Sequence, residues 1–175
     1  SVTSIGNLAF HDCGGLVLLK VEDGNKKYHS TGNCIIDTEN KILIAGCKTS
    51  IIPNDWSVTI IGDYAFNGCS SLTSIIIPDS VTSIGDYAFN GCSSLASIII
   101  PDSVTSIEDS AFYGCSSLTS IIIPDSVTNI GKSAFLFCRG LKEVHISSLE
   151  SWFNIDFENY NSNPLYYAHH LYLNE

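Results

Sequence analysis

The chain has 175 residues, 45% hydrophobic and 15% charged, enough to bury a sizeable core as one domain. Its net charge of −10 is unevenly placed: from Thr49 to Gly131 there is no Lys, Arg or His, while Asp55, Asp63, Asp79, Asp86, Asp102, Glu108, Asp109 and Asp125 all lie there. Such a surface repels phosphate backbones and anionic lipid heads, which argues against nucleic acid and membrane surfaces as partners, and no apolar run is long enough to span a bilayer.

The chain opens at Ser1-Val2-Thr3, inside a repeat and without Met, and is expected to be a piece of a longer polypeptide. Val2, Phe10 and Cys13 have the offsets of Val81, Phe89 and Cys92, so Val2 to Asp23 reads as a divergent first copy, with Leu16 to Val21 as its strand. Residues 24–47 break the period. There, Cys34-Ile35-Ile36 and Ile42-Leu43-Ile44-Ala45 flank a polar Asp37-Thr38-Glu39-Asn40-Lys41, the pattern of an inserted β-hairpin.

From Thr49 the period resumes, with a two-residue expansion at Asn54-Asp55-Trp56-Ser57. Leu72, Leu95, Leu118 and Leu141 are 23 residues apart, as are Cys69, Cys92, Cys115 and Cys138, and such a period predicts stacked coils, a solenoid. In one copy, Leu95, Ile98 and Ile100 alternate with outward residues in a strand that Pro101-Asp102 ends. Val104 to Ile107 is a second, shorter extended segment. Ser110 to Tyr113 is expected to form one turn of α- or 3-10 helix, closed by Gly114. Leu95, Ile98, Ile100, Val104, Ile107, Ala111, Phe112 and Cys115 should point inward, a set that no coil buries without neighbours.

Residues 147–175 form an irregular, aromatic-rich end. Ser148 is placed to cap a short helix through Phe153, Pro164 to start another helical turn, and Leu171-Tyr172-Leu173 to form one more strand.

The sequence has seven Cys. Equivalent positions of adjacent coils have parallel Cβ vectors, which suits disulfide geometry poorly, so Cys13, Cys69, Cys92, Cys115 and Cys138 read as small buried apolar residues. Zinc-type Cys-x-x-Cys pairs are absent and no cofactor or metal is expected. Cys34 and Cys47 lie outside the column. The columns Asp63, Asp86, Asp109 and Asp79, Asp102, Asp125 invite a Ca²⁺ reading, but carboxylates stabilised by turn N–H groups account for them better. The Thr59, Thr82, Thr105, Thr128 column raises ordered water, and ice binding with it, only weakly. The His residues lack ligand spacing, and no Ser, His and Asp set is placed by any motif, so no catalytic residue is assigned.

Outward strand positions stack into columns one strand spacing apart. One is Ile76, Ile99, Ile122 and then His145; the next is Ser74, Ser97, Ser120 and then Glu143; beside it run Thr73, Ala96, Thr119 and then Lys142. An isoleucine stripe flanked by hydroxyls and bounded by charge is the candidate contact surface for a protein or a glycan.

Leu72-Thr73-Ser74-Ile75-Ile76-Ile77-Pro78, Ser80-Val81-Thr82-Ser83-Ile84-Gly85, Ala88-Phe89 and Cys92 together resemble the BspA-like leucine-rich repeats of bacterial and protist surface proteins. The resemblance implies an α/β, β-rich, right-handed solenoid, with parallel strands on one face and short strands and helical or 3-10 turns on the other. It further implies display on a cell surface or secretion, adhesion to proteins or other cells, and no fixed catalytic residues. The leading expectation is a non-enzymatic recognition module spanning 1–175. The alternative is a spacer that holds other domains away from a surface, or a solenoid that self-associates through its open ends.

Overall fold

The computed structural model describes residues 2–174; Ser1 and Glu175, the outer limits of the one-domain reading, lie outside the described residues. In chain order the strands are β1 (Tyr28–Thr31), β2 (Cys34–Asp37), β3 (Ile42–Ala45), β4 (Ile60–Ile61), β5 (Ser74–Ile76), β6 (Ser83–Ile84), β7 (Ser97–Ile99), β8 (Ser106–Ile107), β9 (Ser120–Ile122), β10 (Asn129–Ile130) and β11 (Glu143–Ile146). Helix α1 (Leu149–Phe153), β12 (Asp156–Phe157), a 3-10 turn (Pro164–Tyr166) and β13 (His170–Leu173) follow.

The copies stack as solenoid coils. Strand β5 pairs in parallel with β7, and β9 with β11, each residue meeting the one 23 positions on: Ser74 with Ser97, Ile75 with Ile98, Ser120 with Glu143. On the opposite side β4, β6, β8 and β10 pair in the same way, Ile60 with Ser83 and Ile84 with Ile107. This happens because one coil buries nothing alone. Leu72, Leu95, Leu118 and Leu141, like Phe66, Phe89, Phe112 and Phe135, are at most 3% exposed only because the next coil covers them. The phenylalanine rings form a near-parallel stack, with centroids 5.1, 5.3 and 5.4 Å apart.

Between the two sheets each coil turns twice. After the outer strand, Val81 N–H closes a turn on Pro78 O at 3.0 Å, and Val104 does so on Pro101. The hydroxyls of Ser80, Ser103 and Ser126 donate to the carbonyls of Val58, Val81 and Val104 at 2.6 to 2.7 Å, which is why a small hydroxyl recurs there. On the other side the expected helical turn does not form. Tyr113 N–H reaches Ser110 O and Cys115 N–H reaches Phe112 O, but the intervening Phe112 and Gly114 N–H groups donate across to Ala134 O and Leu136 O of the next coil. Ser110 and Gly114 take positive φ (55° and 73°), so the segment is a row of separate turns stitched to its neighbour.

Two segments differ from the sequence expectation in a way that matters for the sheets. Residues 24–47 form a three-stranded meander, β1 pairing with β2 and β2 with β3, rather than a lone hairpin. Its last strand continues in parallel into β4, Ile42 opposite Ile60, so the meander belongs to the short-strand sheet. Leu16 to Val21 forms no strand. The segment that would pair with it, around Thr49, is itself irregular, and side chains take the backbone groups instead: Thr49 Oγ1 donates to Val17 O at 2.8 Å and Val21 N–H donates to Ser30 Oγ at 2.8 Å. The first coil's turn lies directly on that of Tyr64 to Cys69, with Asn7 Nδ2 3.4 Å from Asp63 Oδ2 and the His11 and Tyr64 ring centroids 6.3 Å apart.

The tail is laid out as one more, longer coil. Ser148 Oγ accepts Ser151 N–H at 3.1 Å and caps α1, as its position predicts. Strand β12 pairs with β10 and β13 with β11, Glu143 now meeting His170.

Candidate functional site

The outer strands place the predicted columns on one face. Ile75, Ile98 and Ile121 point inward and are buried, while their neighbours Ile76, Ile99 and Ile122 are 79%, 63% and 50% exposed. Ser74 and Ser97 stand exposed beside them and Ser120 half-buried. No charge interrupts this strip from Thr73 to Ile122, because the acidic residues of these coils lie on the turns and at the ends of the short strands. The face is carried by two groups of strands, β5 with β7 and β9 with β11 and β13.

The C-terminal boundary is polar and aromatic. His145 Nε2 lies 3.1 Å from Glu143 Oε2, and the Asn174 side-chain amide lies 2.9 Å from His145 Nδ1. The imidazole also stacks on the Tyr172 ring at 4.8 Å and 12°. All eight predicted residues, Ser74, Ile76, Ser97, Ile99, Ser120, Ile122, Glu143 and His145, therefore lie on one outward surface.

The sequence reading missed two members of the stripe. Ile51, 74% exposed, borders a shallow groove of about 260 Å³ with Ser50, Ile52, Ser74 and Ile76. The two extra residues after Pro53 hid its equivalence to Ile76; counting back from Pro53 instead of from Val58 recovers it. Tyr172 pairs with His145 and extends the column to β13. Its register is set by the length of the irregular tail, which no period reveals.

Two of the other columns, that of Asp63, Asp86 and Asp109 and that of the threonines, hold the coils together. Asp63 Oδ1 accepts the N–H of Asp86 at 3.1 Å, Asp86 that of Asp109 at 3.0 Å, and Asp109 that of Lys132 at 2.6 Å. Each carboxylate thus caps the turn of the next coil. Burial, followed by the charges of Asp63, Asp109 and Glu108, raises the Asp86 pKa against the pull of its hydrogen bond to Asp109. Thr82, Thr105 and Thr128 hydroxyls donate to the preceding Thr59, Thr82 and Thr105 carbonyls at 3.3 Å. Among the described residues no group of three or more His, Cys, Asp or Glu is arranged to hold a metal ion, and no helix is long and apolar enough to cross a membrane.

A larger hollow, about 610 Å³, lies within the first coil among Val2, Ile5, Phe10, Val21, Tyr28 and Ile35. The first four correspond to Val81, Ile84, Phe89 and Ile100, all core in the stacked coils. The hollow is therefore the interior of the first coil, opening at a rim that Ser4, Lys20, Glu22, Asp23 and Asn25 also line.

The sequence pattern of the BspA type leucine rich repeat region matches residues 44–165 in six copies. A comparison with curated proteins finds no match. Among solved structures, the pneumococcal vaccine antigen PcpA superposes with a TM-score of 0.67 at 28% identity, over 74% of this chain and 33% of that one. A leucine rich cell surface protein of Faecalibacterium prausnitzii does so at 0.60 and 31%, over 85% and 46%. A leucine-rich repeat protein of Bacteroides capillosus does so at 0.62 and 26%, over 70% and all of that chain. The chain thus spans less than half the length of the first two.

Proposed function

The chain belongs to the BspA-type leucine-rich repeat family, and from that premise we propose that it is a recognition module that binds a protein or glycan ligand at a cell surface through its strand face. Repeats of this kind commonly mediate protein binding and surface recognition and are generally non-catalytic, and one similar structure is described as a cell surface protein. The observation that carries the reading is the isoleucine stripe. Strands β5, β7 and β9 each send one isoleucine into the core and the next into solvent, and the solvent-facing set, with Ile51, forms an uncharged strip framed by hydroxyls. Burying such side chains against a partner is worth about 1.5–3 kcal/mol each, and the hydroxyl frame supplies hydrogen bonds at the rim.

The test is Ile99→Asp, assayed on a panel of immobilised extracellular-matrix proteins and on a glycan array. Because Ile99 faces solvent, circular dichroism and Tm should be preserved, while retention of the ligand bound by the parent protein should fall about tenfold or more. A variant that folds and binds as the parent does would exclude the strand face.

A second reading, self-association as a spacer, draws on β1 and β13, the end strands of their sheets; all four residues of β13 are exposed. Light scattering across a concentration series separates the two, since a strict monomer that binds ligand favours recognition and growing chains of subunits favour the spacer.

A further inference from the structure

We propose that Tyr160 and Tyr166, on the last coil, form a second binding site, a stacking platform for an uncharged oligosaccharide. It shares no residue with the strand face and does not depend on that reading. The two rings are 73% and 50% exposed, with centroids 5.8 Å apart and planes at 52°. Core packing does not require them there, since Trp152, Ile155 and Ala168 fill the coil's interior.

The rings are nonetheless held in place. Tyr167 packs edge-on against Tyr166 at 4.9 Å and 81°, and its own hydroxyl accepts Phe137 N–H at 3.0 Å, tying the platform to the preceding coil. On the Tyr160 side, Asn159 Oδ1 accepts both the buried Ser162 hydroxyl at 3.0 Å and Ser133 N–H at 3.3 Å. Asn163 Oδ1 accepts Leu165 N–H at 2.9 Å and starts the 3-10 turn that carries Tyr166. Ordering entropy is thus met in the free protein, which favours binding.

Charge selects the ligand class. From Asn159 to Ala168 there is no Asp, Glu, Lys, Arg or His, in a chain of net charge −10. That disfavours phosphate-bearing nucleotides as the stacking partner, since the neighbouring Lys132 is already paired with Glu158 at 3.7 Å. What remains is a partner with an apolar ring face and a neutral, hydroxyl-rich rim. A pyranose chain has both. Tyrosine suits the task because its body is apolar and its tip hydrogen-bonds.

The test titrates the intact chain with cellohexaose, chitohexaose and mannohexaose by calorimetry, alongside Tyr160→Ala, Tyr166→Ala and Ile99→Asp. At least one of the three should bind, each tyrosine variant should weaken it about 2- to 12-fold at unchanged Tm, and Ile99→Asp should leave it intact. Binding of none of the three, or binding that both tyrosine variants retain, overturns the proposal. Loss on Ile99→Asp alone also overturns it and moves the glycan to the strand face.

Discussion

A thiol in these coils is a core residue with a hydrogen bond. Cys92, Cys115 and Cys138 are fully buried, and their Sγ–H groups donate to the carbonyls of Phe66, Phe89 and Phe112 at 3.2, 3.3 and 3.1 Å. Burial pushes the Cys138 thiol up to about 12 and those of Cys34 and Cys69 to about 11, so the reactive thiolate is scarce at neutral pH. Cys13 departs from the expected buried column: it alone of the seven free cysteines is exposed, on the first coil, which has no outer strand. A thiol titration at pH 8 should therefore show one fast-reacting group in the native protein and seven in denaturant; more than two fast groups would contradict the buried column. Asp37 behaves oppositely. Its burial alone would raise its pKa, but Asn40 and Glu39 N–H groups at 3.0 and 3.1 Å, the Asn40 amide at 3.1 Å and Lys27 at 4.0 Å outweigh that and lower it. A lowered folded-state pKa contributes stability that is complete above the unfolded value, about 3.9, and is lost as pH falls through the folded one. Asp37→Asn should cost about 1–3 kcal/mol in urea unfolding at pH 7. That difference should shrink toward zero as the acid limb is reached.

At the scale of the element, legibility follows the strictness of the period. Pro78, Pro101 and Pro124 end their strands and the isoleucines alternate as read, because a period-2 pattern with half its residues buried admits one register. The hidden features are those that depend on a neighbouring coil. Ser110 to Tyr113 has the composition of a helical turn, and only the next coil's carbonyls convert it into stitched turns. Leu16 to Val21 has the pattern of a strand but no regular partner. The extra strand β1 was likewise invisible, since Tyr28-His29-Ser30-Thr31 has no apolar alternation. Gly46 shows how tightly the meander meets the repeats: a methyl group there would lie inside the Phe66 ring. Gly46→Ala should destabilise the protein by about 1–3 kcal/mol as an overpacking substitution. Gly15→Ala, where the space is open, should stay within about 0.5 kcal/mol; equal losses at the two positions would argue against the close Gly46–Phe66 packing.

For the molecule as a whole, nearest-neighbour stacking makes stability a local property. The buried apolar residues fall into two clusters. One runs unbroken from Cys34 to Ala168, and the other gathers Leu19, Tyr28, Ile35, Ala45 and Cys47 with the half-buried Ile5, Phe10, Leu16 and Val21. The second cluster surrounds the 610 Å³ hollow and rests on a coil with no outer strand. It therefore has less apolar area to lose and fewer ladder hydrogen bonds to break, which sets a lower free energy for opening it. Native-state hydrogen exchange should show residues 8–23 opening at a smaller free energy, and with a smaller urea dependence, than β6, β8 and β10. Phe112→Ala, which removes the middle of the ring stack, should lower the protection of the repeats by about 3–5 kcal/mol. Phe10→Ala should lower only that of the first coil. If all amides opened with one common free energy and both variants shifted it equally, the chain would be a single cooperative unit, and the stack would transmit stability along its length in place of the local coupling its two clusters imply.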